Sequence, residues 1–146
     1  MVPELRPLGA AWPIAAMAAH FRSTVSPTAE KRICAWLDLL VTWNRTHDLT
    51  AARSQGEFLD LMLADAFVLS RAVSEKARVV DVGTGAGAPG LPLALLRPDL
   101  RVTLAEPLAK RAAFLRTCLG EIDRLDVKME QKRGDKARRS PMASTT

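Results

Sequence analysis

Hydrophobic positions recur along the chain with two different periods, and the change of period marks out its organisation. Ser26-Pro27 is followed by Glu30 and then by Ile33, Trp36, Leu37, Leu40 and Val41. A serine N-cap, a proline at the first helical position and an acid in the first turn all suit the free N–H groups of a helix start. The apolar residues fall three and four apart and so share one face. This spacing predicts a helix from Ser26 that ends near Trp43-Asn44, with Trp36 and Trp43 as packing residues. A second helix is expected from about Gln55 to Val73, with Phe58, Leu61, Met62 and Leu69 on one face. Asp65 falls on that face too, so it is either paired or facing a cavity, or it lies where the face reaches solvent. Between the two helices, Asn44-Arg45-Thr46-His47-Asp48-Leu49-Thr50 reads as a polar loop with His47 exposed.

The period then shortens. Val79-Val80-Asp81-Val82 is the kind of valine-rich run found in buried parallel strands. It leads into Gly83-Thr84-Gly85-Ala86-Gly87-Ala88-Pro89-Gly90. Glycine accepts positive φ and has no Cβ, so a ligand can lie against bare backbone there. Pro89 suits a first helical turn, and Leu91, Leu93, Ala94, Leu95 and Leu96 fill the helix that follows. After a turn at Leu96-Arg97-Pro98-Asp99, a second strand runs from Arg101 to Glu106. A further helix begins at Lys110 and Arg111, buries Phe114, Leu115, Cys118 and Leu119, and stops at Gly120. Strand, glycine turn, helix and strand in this order give an α/β fold opening on a nucleotide-type site.

Two carboxylates give that site its chemistry. Glu106 lies about 20 residues beyond the glycine turn, the offset at which an acid reaches a ribose diol. Its alternative role is to sit near the next helix start, where negative charge is favoured. Asp81 would raise the energy of a nearby pyrophosphate but lower that of an ammonium or sulfonium. Its alternative role is to cap its own turn. Asp81 with Gly83, Gly85 and Gly87 resembles motif I of the Rossmann-like methyltransferases, with Glu106 at their second-strand acid. The expected cofactor-binding set is Asp81, Gly83, Gly85, Gly87, Ala88 and Glu106, and the expected cofactor is S-adenosyl-L-methionine. No catalytic residue is named. Cys34 and Cys118 lack metal spacing and read as reduced core residues.

An ordered series of motifs narrows the reading further. It comprises Trp43-Asn44, Asp48-Leu49-Thr50-Ala51, Asp65, the stretch from Asp81 to Pro92, Glu106-Pro107-Leu108-Ala109-Lys110-Arg111 and Phe114-Leu115. From about Pro27 to Ile122 the chain resembles the bacterial 16S ribosomal RNA guanine-N7 methyltransferases, also called glucose-inhibited division protein B. The resemblance implies methyl transfer from S-adenosylmethionine to N7 of a guanine, with 16S rRNA or the small ribosomal subunit as partner. Guanine N7 has its own lone pair, so alignment with the methyl group does most of the catalysis. Lys110 and Arg111 either contact phosphate or form a solvated edge. The chain departs from the family pattern at Asp48, usually asparagine, at Met62-Leu63-Ala64, where histidine is usual, at Ala66, usually serine, and at Ala88, usually bulky and apolar. These changes bear on substrate placement more than on cofactor binding.

With 146 residues, 48% apolar and 25% charged, the chain has room for one soluble domain. It contains neither an apolar run of membrane-spanning length nor a signal-peptide pattern, and a cytoplasmic location is expected. Three segments are expected: a loosely structured lead-in over 1–25 with a short helix near Ala15–Phe21, a helical cap and partial methyltransferase domain over 26–122, and a basic, disordered tail over 123–146. One short strand near Leu125–Met129 is allowed within that tail. The chain reads as a C-terminally truncated or frame-shifted member of the family. A nicotinamide-dependent oxidoreductase fragment and a non-catalytic RNA-binding remnant remain as alternatives. The net charge of +5 permits an RNA partner.

Overall fold

A computed structural model describes residues 4–132 and the backbone of Met142–Thr145. After a 3-10 turn at Gly9–Ala11, the described residues form helices α1 (Ile14–His20), α2 (Pro27–His47) and α3 (Gln55–Ala72). Strands and helices then alternate as β1 (Arg78–Val82), α4 (Gly90–Leu96), β2 (Arg101–Ala105), α5 (Ala109–Glu121) and β3 (Lys128–Glu130), with β4 at Met142–Thr145. The sheet order is β3-β2-β1-β4. The first three strands are parallel and β4 runs antiparallel along β1.

One face of the sheet is buried. Val79, Asp81, Val102 and Leu104 point into the core, where α4 packs on β1 and β2, and α2 packs on both α4 and α5. Arg78, Val80, Arg101 and Thr103 alternate onto the other face and keep some or all of their exposure.

The helix starts follow the sequence signals closely. Ser26 accepts the Ala29 N–H at 3.1 Å. Ser54 accepts the Glu57 N–H at 3.2 Å and donates to that residue's carboxylate at 3.1 Å, a capping box. The C-terminal ends of α2 and α5 depart from expectation. Helix α2 continues through Asn44 to His47 and ends at Asp48, whose φ is 50°. Asn44 Oδ1 then accepts the N–H groups of Leu49 at 2.6 Å and Thr50 at 2.9 Å, so it turns the chain out of the helix. Gly120 lies within α5, and the left-handed residue after that helix is Asp123. On α3 the buried face is Phe58, Met62, Leu63, Ala66 and Phe67. Leu61 lies on the opposite side, 55% exposed, with Val68 and Asp65, so Asp65 reaches solvent.

Two stretches are more ordered than the sequence reading expects. Before α2, Trp12 and Ile14 are buried. Asp38 on α2 accepts the Leu8 N–H at 2.9 Å, the Gly9 N–H at 3.1 Å and the Trp12 indole N–H at 2.8 Å. After Ile122, where the sequence predicts a disordered tail, Arg124 is buried and donates to Ala94 O at 3.0 Å while clamping Asp126 at 2.8 and 3.0 Å. That clamp leads the chain into β3. Residues 133–141, the most basic part of the expected tail, lie outside the described residues.

Arg97 joins the helical and sheet layers. It donates to Ser70 O and Val73 O at the end of α3 and grips Asp99 with two bonds of 2.8 Å. The guanidinium and the Lys76 N–H hold the Asp99 carboxyl well below the usual carboxylate range.

Asp38→Ala removes the acceptor for a buried indole N–H and two backbone donors. The expected loss is about 2 kcal/mol, read as a lower urea midpoint with an unchanged slope. An unchanged midpoint would show that the Leu8–Trp12 segment is not docked in solution.

Candidate cofactor-binding site

The valine-rich β1 delivers Asp81 and then the glycine loop to the C-terminal edge of the sheet. Gly83, Gly85 and Gly87 have φ values of 69°, 63° and 116°, which other residues adopt only with strain. The loop is tied down at both ends. The Gly83 and Thr84 N–H groups donate to Ala105 O of the neighbouring strand at 2.8 and 3.2 Å. The buried Trp36 indole donates to Ala86 O at 3.2 Å.

Inside the loop lies Asp81, only 2% exposed. Its Oδ2 accepts the Thr84 hydroxyl at 2.6 Å and the Gly90 N–H at 2.8 Å. Burial pushes its carboxyl up to about 6, with nearby Glu106 adding to the rise and the two hydrogen bonds opposing it. Asp81 therefore caps its own turn. Oδ1 has no hydrogen-bond partner among the described residues.

Glu106 follows β2 directly. Its Oε1 accepts the Gly85 N–H at 2.9 Å and its Oε2 the Leu108 N–H at 2.9 Å, just ahead of α5. It is 2% exposed. Both oxygens therefore already hold backbone, although each carboxylate oxygen has a second lone pair to offer.

The structure gathers Asp81, Gly83, Gly85, Gly87 and Glu106 around one turn, with the half-buried Ala88 packed against the core behind it. The glycines divide into two kinds. Among the described residues, a Cβ on Gly83 or Gly85 would meet nothing within 4 Å, so their backbone borders space that none of those residues fills. A Cβ on Gly87 would meet Leu115 at 3.0 Å, and one on Gly90 would meet Asp81 and Leu104 at 2.7 Å. Gly90 therefore lets α4 seat against the two strands, a packing role that the sequence pattern does not separate from ligand contact. Thr84 belongs to the turn as well, and its position three residues after Asp81 is the sequence signal for it. Nothing in the sequence points to the Trp36–Ala86 contact.

The remaining sequence candidates lie elsewhere. His47 sits in the last turn of α2, half-buried, its ring centroid 4.9 Å from that of Trp43. Trp43 in turn packs 5.5 Å from Phe114. Lys110 is exposed and Arg111 half-buried at the start of α5. Cys34 and Cys118 are free and buried, and burial pushes the Cys34 thiol up to about 11 and that of Cys118 higher still. Among the described residues no group of His, Cys, Asp or Glu is arranged to hold a metal, and no helix is long and apolar enough to cross a membrane.

Parallel strands in the order 3-2-1, a glycine turn after the first and an acid after the second define a Rossmann-like α/β fold of the methyltransferase type. The family model described as rRNA small subunit methyltransferase G (GidB) matches residues 29–144, and the chain belongs to that family. Among curated relatives, the ribosomal RNA small subunit methyltransferase G of Halorhodospira halophila is 43% identical over 105 residues, covering 72% of this chain and 50% of the relative. The protein of the same name from Neisseria gonorrhoeae is 39% identical over 98 residues, or 67% and 47%. That of Photorhabdus laumondii is 38% identical over 104 residues, or 71% and 50%. The chain thus spans about half the length of the curated relatives it matches.

The burial of Asp81 has a pH signature. Its carboxyl is raised from 3.8 to about 6 in the folded chain, so the native state holds the proton more tightly than the unfolded state. The stability that this proton contributes is complete below pH 3.8 and is lost as pH rises towards about 6. Asp81→Asn keeps an acceptor oxygen for Thr84 and Gly90 but does not titrate. Urea unfolding from pH 4 to 7, on the order of that window, should show the wild type losing stability relative to the variant. Parallel curves would contradict the burial of this carboxyl.

Proposed function

We propose that this chain carries the cofactor-binding half of an S-adenosylmethionine-dependent rRNA methyltransferase acting on N7 of a guanine in 16S rRNA. One observation carries the reading. The open backbone of Gly83 and Gly85 lies between two carboxylates at the C-terminal ends of adjoining parallel strands. The names of the relatives, all ribosomal RNA small subunit methyltransferase G, supply the substrate class.

The residues present fit such a cofactor. Gly83 and Gly85 leave room for a ligand against the main chain, Glu106 keeps acceptor capacity for ribose hydroxyls, and Asp81 Oδ1 offers negative charge to a cationic centre. The same charge disfavours a pyrophosphate, which argues for S-adenosylmethionine over a nicotinamide dinucleotide. When bound, the cofactor supplies an electrophilic methyl group on a sulfonium. Guanine N7 brings its own lone pair, so the protein needs no general base and its residues work by binding and orientation. The site then acts in the cytoplasm, with 16S rRNA or the small ribosomal subunit as its partner.

Calorimetric titration of S-adenosylmethionine into the 146-residue chain tests this directly. Micromolar binding is expected, at least about tenfold weaker in Gly85→Val, where a side chain is forced into a positive-φ position facing the ligand space. Tighter binding of NAD than of S-adenosylmethionine, or no binding by a folded chain, would overturn the proposal.

A further inference from the structure

Spacing predicts Trp36 as a packing residue, and packing is only part of what it does. The side chain is fully buried, yet its indole N–H reaches Ala86, 50 residues further along the chain, and donates to its carbonyl at 3.2 Å. Ala86 is itself buried and lies between Gly85 and Gly87, whose φ values are 63° and 116°. The peptide unit joining Ala86 to Gly87 is thus held from two sides. Its carbonyl accepts the indole, and its N–H donates to Thr84 O at 3.0 Å.

A peptide flanked by glycine turns at little steric cost, so hydrogen bonds must fix its orientation. The other ties of the loop come from the sheet layer, through Ala105 O, Asp81 and Glu106. The indole ties it to the helical layer. Helix α2 is itself held on α5 to either side of Trp36. Before it, Arg32 donates to Ile122 O at 3.0 Å; after it, Trp43 packs on Phe114 with ring centroids 5.5 Å apart. The donor is therefore presented from a fixed helix.

We propose that Trp36 is a positioning residue of the cofactor site, its N–H holding the Ala86–Gly87 peptide so that Gly83 and Gly85 keep the conformation that binds S-adenosylmethionine. This rests on the reading of the glycine loop as the cofactor site. Packing alone asks for apolar area, which phenylalanine also supplies. Without the N–H, Ala86 O is a buried acceptor that has lost its partner. The loop relieves this by turning the peptide towards water, and only the fraction left in the original conformation binds.

The test compares the wild type, Trp36→Phe and Val41→Ala by titration of S-adenosylmethionine and by amide hydrogen exchange without it. Val41 is buried on the same helix and has no hydrogen bond to the loop, so its truncation controls for lost core packing. Both variants should lower the urea midpoint. Only Trp36→Phe should weaken cofactor binding and speed exchange at the Gly85 and Gly87 amides, each by about fivefold or more. Equal affinity or equal loop exchange in folded Trp36→Phe, or the same losses in Val41→Ala, would overturn the proposal. If the wild type binds no cofactor, the proposed function fails, and the exchange comparison still decides whether the indole holds the loop. If Trp36→Phe does not fold, the indole signals of the full chain carry the test. Adding S-adenosylmethionine, or Gly85→Val in its absence, should move the Trp36 N–H signal and leave that of Trp12, bonded to Asp38, in place. An unmoved Trp36 signal would overturn the proposal.

Discussion

The carboxylate of Asp81, buried inside the turn that follows it, is the constraint on which the rest of the site depends. One of its oxygens holds both the Thr84 hydroxyl and the first N–H of α4. A single acceptor thereby fixes the path of the glycine loop and the start of the helix leading out of it. This works only because Gly90 has no side chain, since a Cβ there would sit 2.7 Å from Asp81. Burial raises the Asp81 carboxyl and the two hydrogen bonds oppose that rise. A ligand with positive charge near its free oxygen would offset it further.

Glu106 extends the same device to the neighbouring strand. Its two oxygens connect the middle of the glycine loop to the entrance of α5, so loop, sheet and helix meet on one buried side chain. The result is a turn whose inner surface is committed to structure and whose outer surface, at Gly83 and Gly85, no other described residue covers. On the far side of this junction, α2 supports the loop through the Trp36 indole. The long N-terminal helix is thereby part of the site's frame, and Asp38 on the same helix anchors the segment that precedes it.

Much of this was legible in the sequence, and for local reasons. The Ser26-Pro27 start, the valine run of β1, the glycine spacing and the acid after β2 are short-range signals whose physics is complete within a few residues. What escaped depends on distant partners. Asp38 reads as an ordinary polar position on a helix until Leu8, Gly9 and Trp12 come to it from 26 to 30 residues away. Arg124 looks like the start of a basic tail until Ala94 O and Asp126 hold it. Asn44 to His47 look like a loop, but Trp43 packs on Phe114 and the helix continues with it. Spacing alone places Leu61 on the core face of α3, but the structure turns it to solvent because Leu63, Ala66 and Phe67 fill the packed side instead. The pairing of β4 with β1 has no sequence signal comparable to that of β1 itself.

The central claim is that the bare side of the glycine loop is where the cofactor lies. Amide NMR spectra of the chain recorded during addition of S-adenosylmethionine test it most directly. The account predicts saturable shifts at the Gly83, Gly85 and Leu108 amides, the last through Glu106. Saturable shifts confined to other parts of the chain, or none at all in a folded sample, would contradict it.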